Sequence, residues 1–71
     1  MKVKTNIEYT FTTNFATYKV GDYVKIRTKF LQKYGQITKI GFNDFEISMC
    51  GNDERLITIK YDDLEYITYD Y

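Results

Sequence analysis

Histidine is absent from this chain, which removes the commonest general base and the commonest metal ligand together. Proline is also absent and alanine occurs once, while Ile, Val, Thr, Tyr and Phe abound, so intrinsic preference runs toward strands and away from helix. A single cysteine, Cys50, excludes an intramolecular disulfide. With no histidine to activate it and an apolar strand leading into it, we read it as a small packing residue. The four glycines, Gly21, Gly35, Gly41 and Gly51, stand singly where a turn or bend is wanted, so there is no phosphate-cradling loop. No stretch approaches the roughly 18 apolar residues of a membrane-spanning helix, and the first residues lack the apolar run of a secretory signal. The expectation is a cytoplasmic protein that is not an enzyme, carries no cofactor or metal and has no membrane association.

What is present is aromatic. Eight Tyr and five Phe among 71 residues supply large rigid groups for a core, and leave several for the surface. A chain of this length buries only about 60% of the surface its unfolded form exposes, enough for one core, so residues 1–71 are expected to form a single domain. Formal net charge is zero but unevenly spread. Residues 1–39 hold eight Lys and Arg against two acids, and residues 40–71 hold two bases against eight acids, so the halves carry +6 and −6. Two readings follow: compensation between neighbouring strands, or a basic face opposite an acidic one.

Alternation places short strands between Gly, Asn and Asp. Ile7, Tyr9 and Phe11 point one way in a first strand, with Glu8, Thr10 and Thr12 opposite; residues 13–19 read as a loop with Phe15 tucked inward. After the turn at Gly21-Asp22, Val24, Ile26, Thr28 and Phe30 share one face, and Tyr23, Lys25, Arg27 and Lys29 the other. Gly35 opens a strand through Ile37 and Ile40, whose spacing of three predicts a bulge near Thr38 and Lys39. Asn43-Asp44 reads as a tight turn. Phe45, Ile47 and Met49 line the next strand, Gly51 to Glu54 make a turn, and Ile57, Ile59 and Tyr61 line another. Tyr61-Asp62-Asp63-Leu64 reads as one helical turn, and Glu65 to Thr68 as a last strand.

That order, with Val20-Gly21-Asp22-Tyr23-Val24-Lys25-Ile26, Gly35-Gln36-Ile37 and Tyr61-Asp62-Asp63-Leu64, resembles the SH3-like barrels of the KOW type over about fifty residues. The resemblance implies an all-β, half-open barrel of five to six short strands with one helical turn. The chain departs from the KOW motif at residues 30–34, where that motif has a second glycine, so ribosome or polymerase partners are not carried over. The end of the pattern is also similar to Sm-like and other small barrels that bacteria and their phages use as adaptor or regulatory proteins.

Two surfaces are candidates for function. Tyr66, Tyr69 and Tyr71 near the end of the chain form a strip for docking on a protein, and an exposed sheet edge invites strand addition or a homo-oligomer. The reading preferred from sequence is therefore a small module that acts as adaptor, accessory or inhibitor of a larger protein partner, in the manner of phage or mobile-element proteins. The competing reading is nucleic-acid binding. Lys25, Arg27 and Lys29 lie on one strand face with Tyr23 at its end, their cations about 7 Å apart, close to the spacing of phosphates in a single strand. Tyr34 would stack a base, and Lys33 and Lys39 would widen the patch if their strand pairs beside it. Asp62-Asp63 with Glu65, and Asp53-Glu54, are read as solvated turns in preference to paired acids or a cation cage.

Overall fold

The computed structural model describes residues 2–6, 9–49 and 55–70. Their only helical element is a single 3-10 turn; the rest of the regular structure is eight antiparallel strands in two sheets. β1 (Lys4–Asn6), β2 (Thr10–Thr12) and β3 (Thr17–Lys19) form a three-stranded sheet in that order. β4 (Tyr23–Thr28), β5 (Gln32–Ile40), β6 (Asp44–Met49), β7 (Leu56–Lys60) and β8 (Leu64–Tyr69) form a second, ordered β7-β6-β5-β4-β8, with the 3-10 turn Tyr61–Asp63 leading into β8. The sheets share one core without closing into a barrel. The strand count exceeds the expected five to six because the first part of the chain makes a sheet of its own.

The core follows from alternation on both sheets. Val24 and Ile26 of β4, Ile37 of β5, Phe45 and Ile47 of β6, Ile59 of β7, and Leu64 and Ile67 of β8 turn inward and are buried. Phe11 of β2 and Tyr18 of β3 close over them. The Phe11 ring lies 5.3 Å from Tyr18, 5.0 Å from Phe45 and 5.3 Å from Tyr61, and so joins the two sheets. The bulge expected near Thr38 is present: the β5–β6 register shifts between Ile37 and Lys39, which keeps both Ile37 and Ile40 on the core side.

Three glycines behave differently. Gly21, at φ 100°, sits in the turn where the Asp22 amide donates to the Lys19 carbonyl at 3.1 Å, a conformation that a side chain would strain. Gly41 begins the β5–β6 turn, where its amide donates to the Asp44 carbonyl at 2.7 Å. Gly35, by contrast, does not open a strand but lies inside β5, where a Cβ would stand 2.2 Å from the Ser48 carbonyl oxygen. It is there for close approach of β5 and β6.

Two expectations for phenylalanine are corrected by one local motif. Phe15 and Phe30 were both expected inside, and both are 85% exposed. In Thr13-Asn14-Phe15-Ala16 the Thr13 Oγ1 accepts from the amides of Phe15 at 3.2 Å and Ala16 at 3.3 Å. In Thr28-Lys29-Phe30-Leu31 the Thr28 Oγ1 accepts from Phe30 and Leu31, both at 3.2 Å. Each threonine amide also donates to the carbonyl three residues on. The hydroxyl ends the strand by satisfying the turn, and the phenylalanine rides outward on its tip. Residues 17–19 are consequently a strand rather than a loop. Tyr9 is likewise not inward but exposed, at φ 58° just before β2. The expectations for Ile7, Glu8, Cys50, the turn at 51–54 and Tyr71 lie outside the described residues.

Candidate functional site

β4 lies between β5 and β8, so its outward side chains acquire neighbours on both sides. The registers pair Tyr23 with Gln36, Lys25 with Tyr34, and Arg27 with Gln32 on one flank. On the other they pair Lys25 with Thr68 and Arg27 with Tyr66. Directly paired residues share a face, so Tyr23, Lys25, Arg27, Tyr34 and Tyr66 emerge together on the outside of the sheet. All three rings are well exposed, at 44% for Tyr23, 53% for Tyr34 and 45% for Tyr66. The Arg27 guanidinium carbon stands 5.7 Å from the centroid of the Tyr66 ring, a cation–π distance that holds both groups upright. From strand spacing, the Tyr23 and Tyr34 backbones are about 8 Å apart and those of Tyr34 and Tyr66 about 12 Å.

The charge pattern divides between the two readings offered by sequence. On β6, Glu46 faces Lys39 across the ladder and Asp44 faces Lys60, so acidic and basic strands do compensate there. On β4 they do not: Lys25 and Arg27 face tyrosine, glutamine and threonine, with no carboxylate across from either. The register also sets exposed Asp70 opposite Tyr23 and diagonal to Lys25 on this face, so its carboxylate offsets part of the positive charge at the Tyr23 end of the stripe. One end is fixed at Tyr23, whose carbonyl accepts from the Asp70 amide at 2.9 Å. The other runs to Lys29, which has left the strand and sits exposed in the Thr28–Leu31 turn.

The remaining candidates fall elsewhere. Lys33 is paired with Ile26, which places it on the inward-facing parity of β5, away from the stripe. Lys39 points outward but lies beyond the bulge and opposite Glu46, about 17 Å along β5 from Tyr34. Tyr66 and Tyr69, grouped together from sequence, separate to opposite faces of β8: Tyr66 joins the basic stripe and Tyr69, paired with Val24, turns toward β3. Sequence reasoning missed the company of Tyr66 and Arg27 because nothing local signals a pairing across nearly forty residues.

Tyr69 belongs to a second feature. Its ring lies 4.8 Å from that of Tyr18, its hydroxyl donates to the Thr17 carbonyl, and the Tyr18 hydroxyl donates to the Ile67 carbonyl at 3.2 Å. The two tyrosines thus brace β3 against β8. Burial first, then the neighbouring Tyr69, Tyr66 and Asp22, raise the Tyr18 hydroxyl above its ordinary pKa; burial and then Asp22 do the same for Tyr69. Beside the brace is a groove of about 510 Å³ lined by Phe15, Ala16, Tyr18, Tyr66, Ile67 and Tyr69 among others, most of it apolar.

Among the described residues there is no group of three or more His, Cys, Asp or Glu placed to hold a metal, and no helix long and apolar enough to cross a membrane. No protein family, curated protein or solved structure matches this chain.

Proposed function

We propose that this protein is a small non-enzymatic binding module that holds single-stranded nucleic acid on the outer face of β4. The observation that carries this reading is the direct pairing of each outward cation of β4 with an exposed ring, Lys25 with Tyr34 and Arg27 with Tyr66. Phosphates are drawn to Lys25, Arg27 and Lys29, and unpaired bases lie on Tyr23, Tyr34 and Tyr66. Cation spacing of about 7 Å along a strand suits an extended backbone. Tyrosine faces offer nothing to bases already stacked inside a duplex, so the module prefers single strands. Recognition by charge and stacking predicts little sequence preference.

Fluorescence anisotropy with labelled oligonucleotides at low ionic strength tests this. Two to three phosphate contacts predict log K falling with log salt at a slope of about −1.4 to −2.1. Replacing Lys25 and Arg27 together with Ala should remove most of the binding, and each tyrosine replaced by Ala should weaken it by about 1–3 kcal/mol. Absence of any salt-sensitive binding refutes the reading.

The groove between β3 and β8 favours a second reading, in which the module is an adaptor or inhibitor of a larger protein partner. Phe15, Tyr66 and Tyr69 supply the exposed aromatic anchors that such contacts use. Capture of a partner that is lost on Phe15→Ser and kept on Lys25→Ala would support this reading over the first.

A further inference from the structure

The four sheet edges differ in how they are finished. β3 and β8 face one another and are braced by Tyr18 and Tyr69. Among the described residues no strand lies on the side of β7 away from β6, and none on the side of the three-residue β1 away from β2. The ladder of β7 with β6 includes the bonds from the Tyr61 amide to the Asn43 carbonyl and from the Met49 amide to the Arg55 carbonyl, so the odd-numbered residues face β6. The amides and carbonyls of Leu56, Thr58 and Lys60 therefore point away from the sheet. β7 also lacks the usual protections of a free edge: it has no proline, no bulge and no inward charge, and its only cation, Lys60, stands at one end. Leu56 is exposed on its outer face. At the other end of β7 a cavity of about 170 Å³ opens between Thr58, Ile59 and Lys60 and the β4–β5 turn residues Phe30 and Leu31.

We propose that β7 pairs with β7 of a second copy of this chain, antiparallel about a two-fold axis at Thr58. The occupant is argued from the strand's complementarity to itself. With Thr58 opposite Thr58, Leu56 falls opposite Lys60 and Ile57 opposite Ile59. All three residues with outward backbone groups then meet partners with outward backbone groups, and six hydrogen bonds close. Any other two-fold register loses at least one of these pairs. The two Lys60 side chains lie at opposite ends of the ladder, so no like charges are opposed, and the aliphatic stem of each covers a Leu56. The contact is isologous and closes on itself, giving a dimer rather than a fibre. It joins two five-stranded sheets edge to edge, with the Lys25 and Arg27 faces of both copies on the same side of the joined sheet.

A five-residue ladder is a small interface, so the assay is sedimentation of nuclease-treated full-length protein from about 10 μM to about 1 mM. The expected result is a concentration-dependent rise from 8.5 kDa toward twice that mass. Thr58 is exposed, so Thr58→Lys and Thr58→Glu should keep the fold by circular dichroism. Thr58→Lys should sediment as a monomer, because the axis puts the two lysines face to face, and an equimolar mixture of Thr58→Lys with Thr58→Glu should recover a dimer. The Lys25→Ala, Arg27→Ala double variant should dimerise like the native chain, which separates this result from nucleic-acid binding. A native chain that stays monomeric to about 1 mM, a dimer that persists in Thr58→Lys, or a mixture that stays monomeric overturns the proposal, and so does β7 taking up only a strand of another protein.

Discussion

Phe11→Ala is the substitution whose cost the fold fixes most narrowly. The side chain is fully buried and its ring touches Tyr18, Phe45 and Tyr61, so with the Tyr18–Tyr69 brace it holds the three-stranded sheet to the five-stranded one. Truncating a buried Phe to Ala typically costs about 3–5 kcal/mol, the transfer of the lost ring plus the cavity left behind. A 71-residue domain has a total stability of about 4–11 kcal/mol by the usual per-residue range. The change should therefore remove about a quarter of the stability or more, and leaves the variant partly unfolded if the native value is at the low end. Phe30→Ala deletes the same atoms from a residue that is 85% exposed, and should cost less than about 0.5 kcal/mol. Urea unfolding followed by far-ultraviolet circular dichroism measures both. With a slope of about 1 kcal/mol per molar for so small a protein, the Phe11 midpoint moves down by about 3 M or more and the Phe30 midpoint by at most about 0.5 M. Equal losses, or a larger one at Phe30, would refute the assignment of which phenylalanines build the core.

Gly35→Ala should destabilise by well over 1 kcal/mol, because the new methyl must displace the Ser48 carbonyl that lies 2.2 Å from its position; thermal unfolding would show it, and an unchanged melting temperature would contradict the close β5–β6 approach. Burial, then the nearby Asp44, pushes the Tyr61 hydroxyl from its ordinary value of 10.0 up to about 12, and burial raises Tyr18 in the same direction. Stability is therefore full below about pH 10 and is lost as pH rises toward about 12, because the unfolded chain ionises these hydroxyls more readily than the folded one. Tyrosinate absorbance during a base titration should show most tyrosines ionising before a late group, and loss of the fold should accompany that late group.

Much of the larger sheet was legible because its signals are local. Val24 and Ile26 alternate with Tyr23, Lys25 and Arg27 over a full strand, Ile37 and Ile40 are three apart, and Tyr61-Asp62-Asp63 precedes the last strand; each has a short-range physical cause. The three-residue strands β1, β2 and β3 are too brief for period two to appear in them, so the separate sheet stayed hidden and residues 17–19 read as loop. Phe30 was misplaced because the alternation of Val24, Ile26 and Thr28 continues into it on paper, while the Thr28 hydroxyl stops the strand two residues earlier. The repetition of Thr-x-Phe at residues 13 and 28, each followed by a small or aliphatic residue, was the available signal. At the candidate site, the β4 face could be read directly, Tyr34 was found because β5 follows β4, and Tyr66 was not placed there because its pairing with Arg27 spans most of the chain.

Chemical-shift mapping with a short single-stranded oligonucleotide shows whether a ligand lies across Tyr23, Tyr34 and Tyr66. The ring signals of those three tyrosines and the amides of Lys25 and Arg27 should move together, while Phe42, Tyr61 and the β3–β8 brace stay still. Shifts centred instead on Phe15, Tyr18 and Tyr69, or none at any of the three outer rings, would contradict that placement.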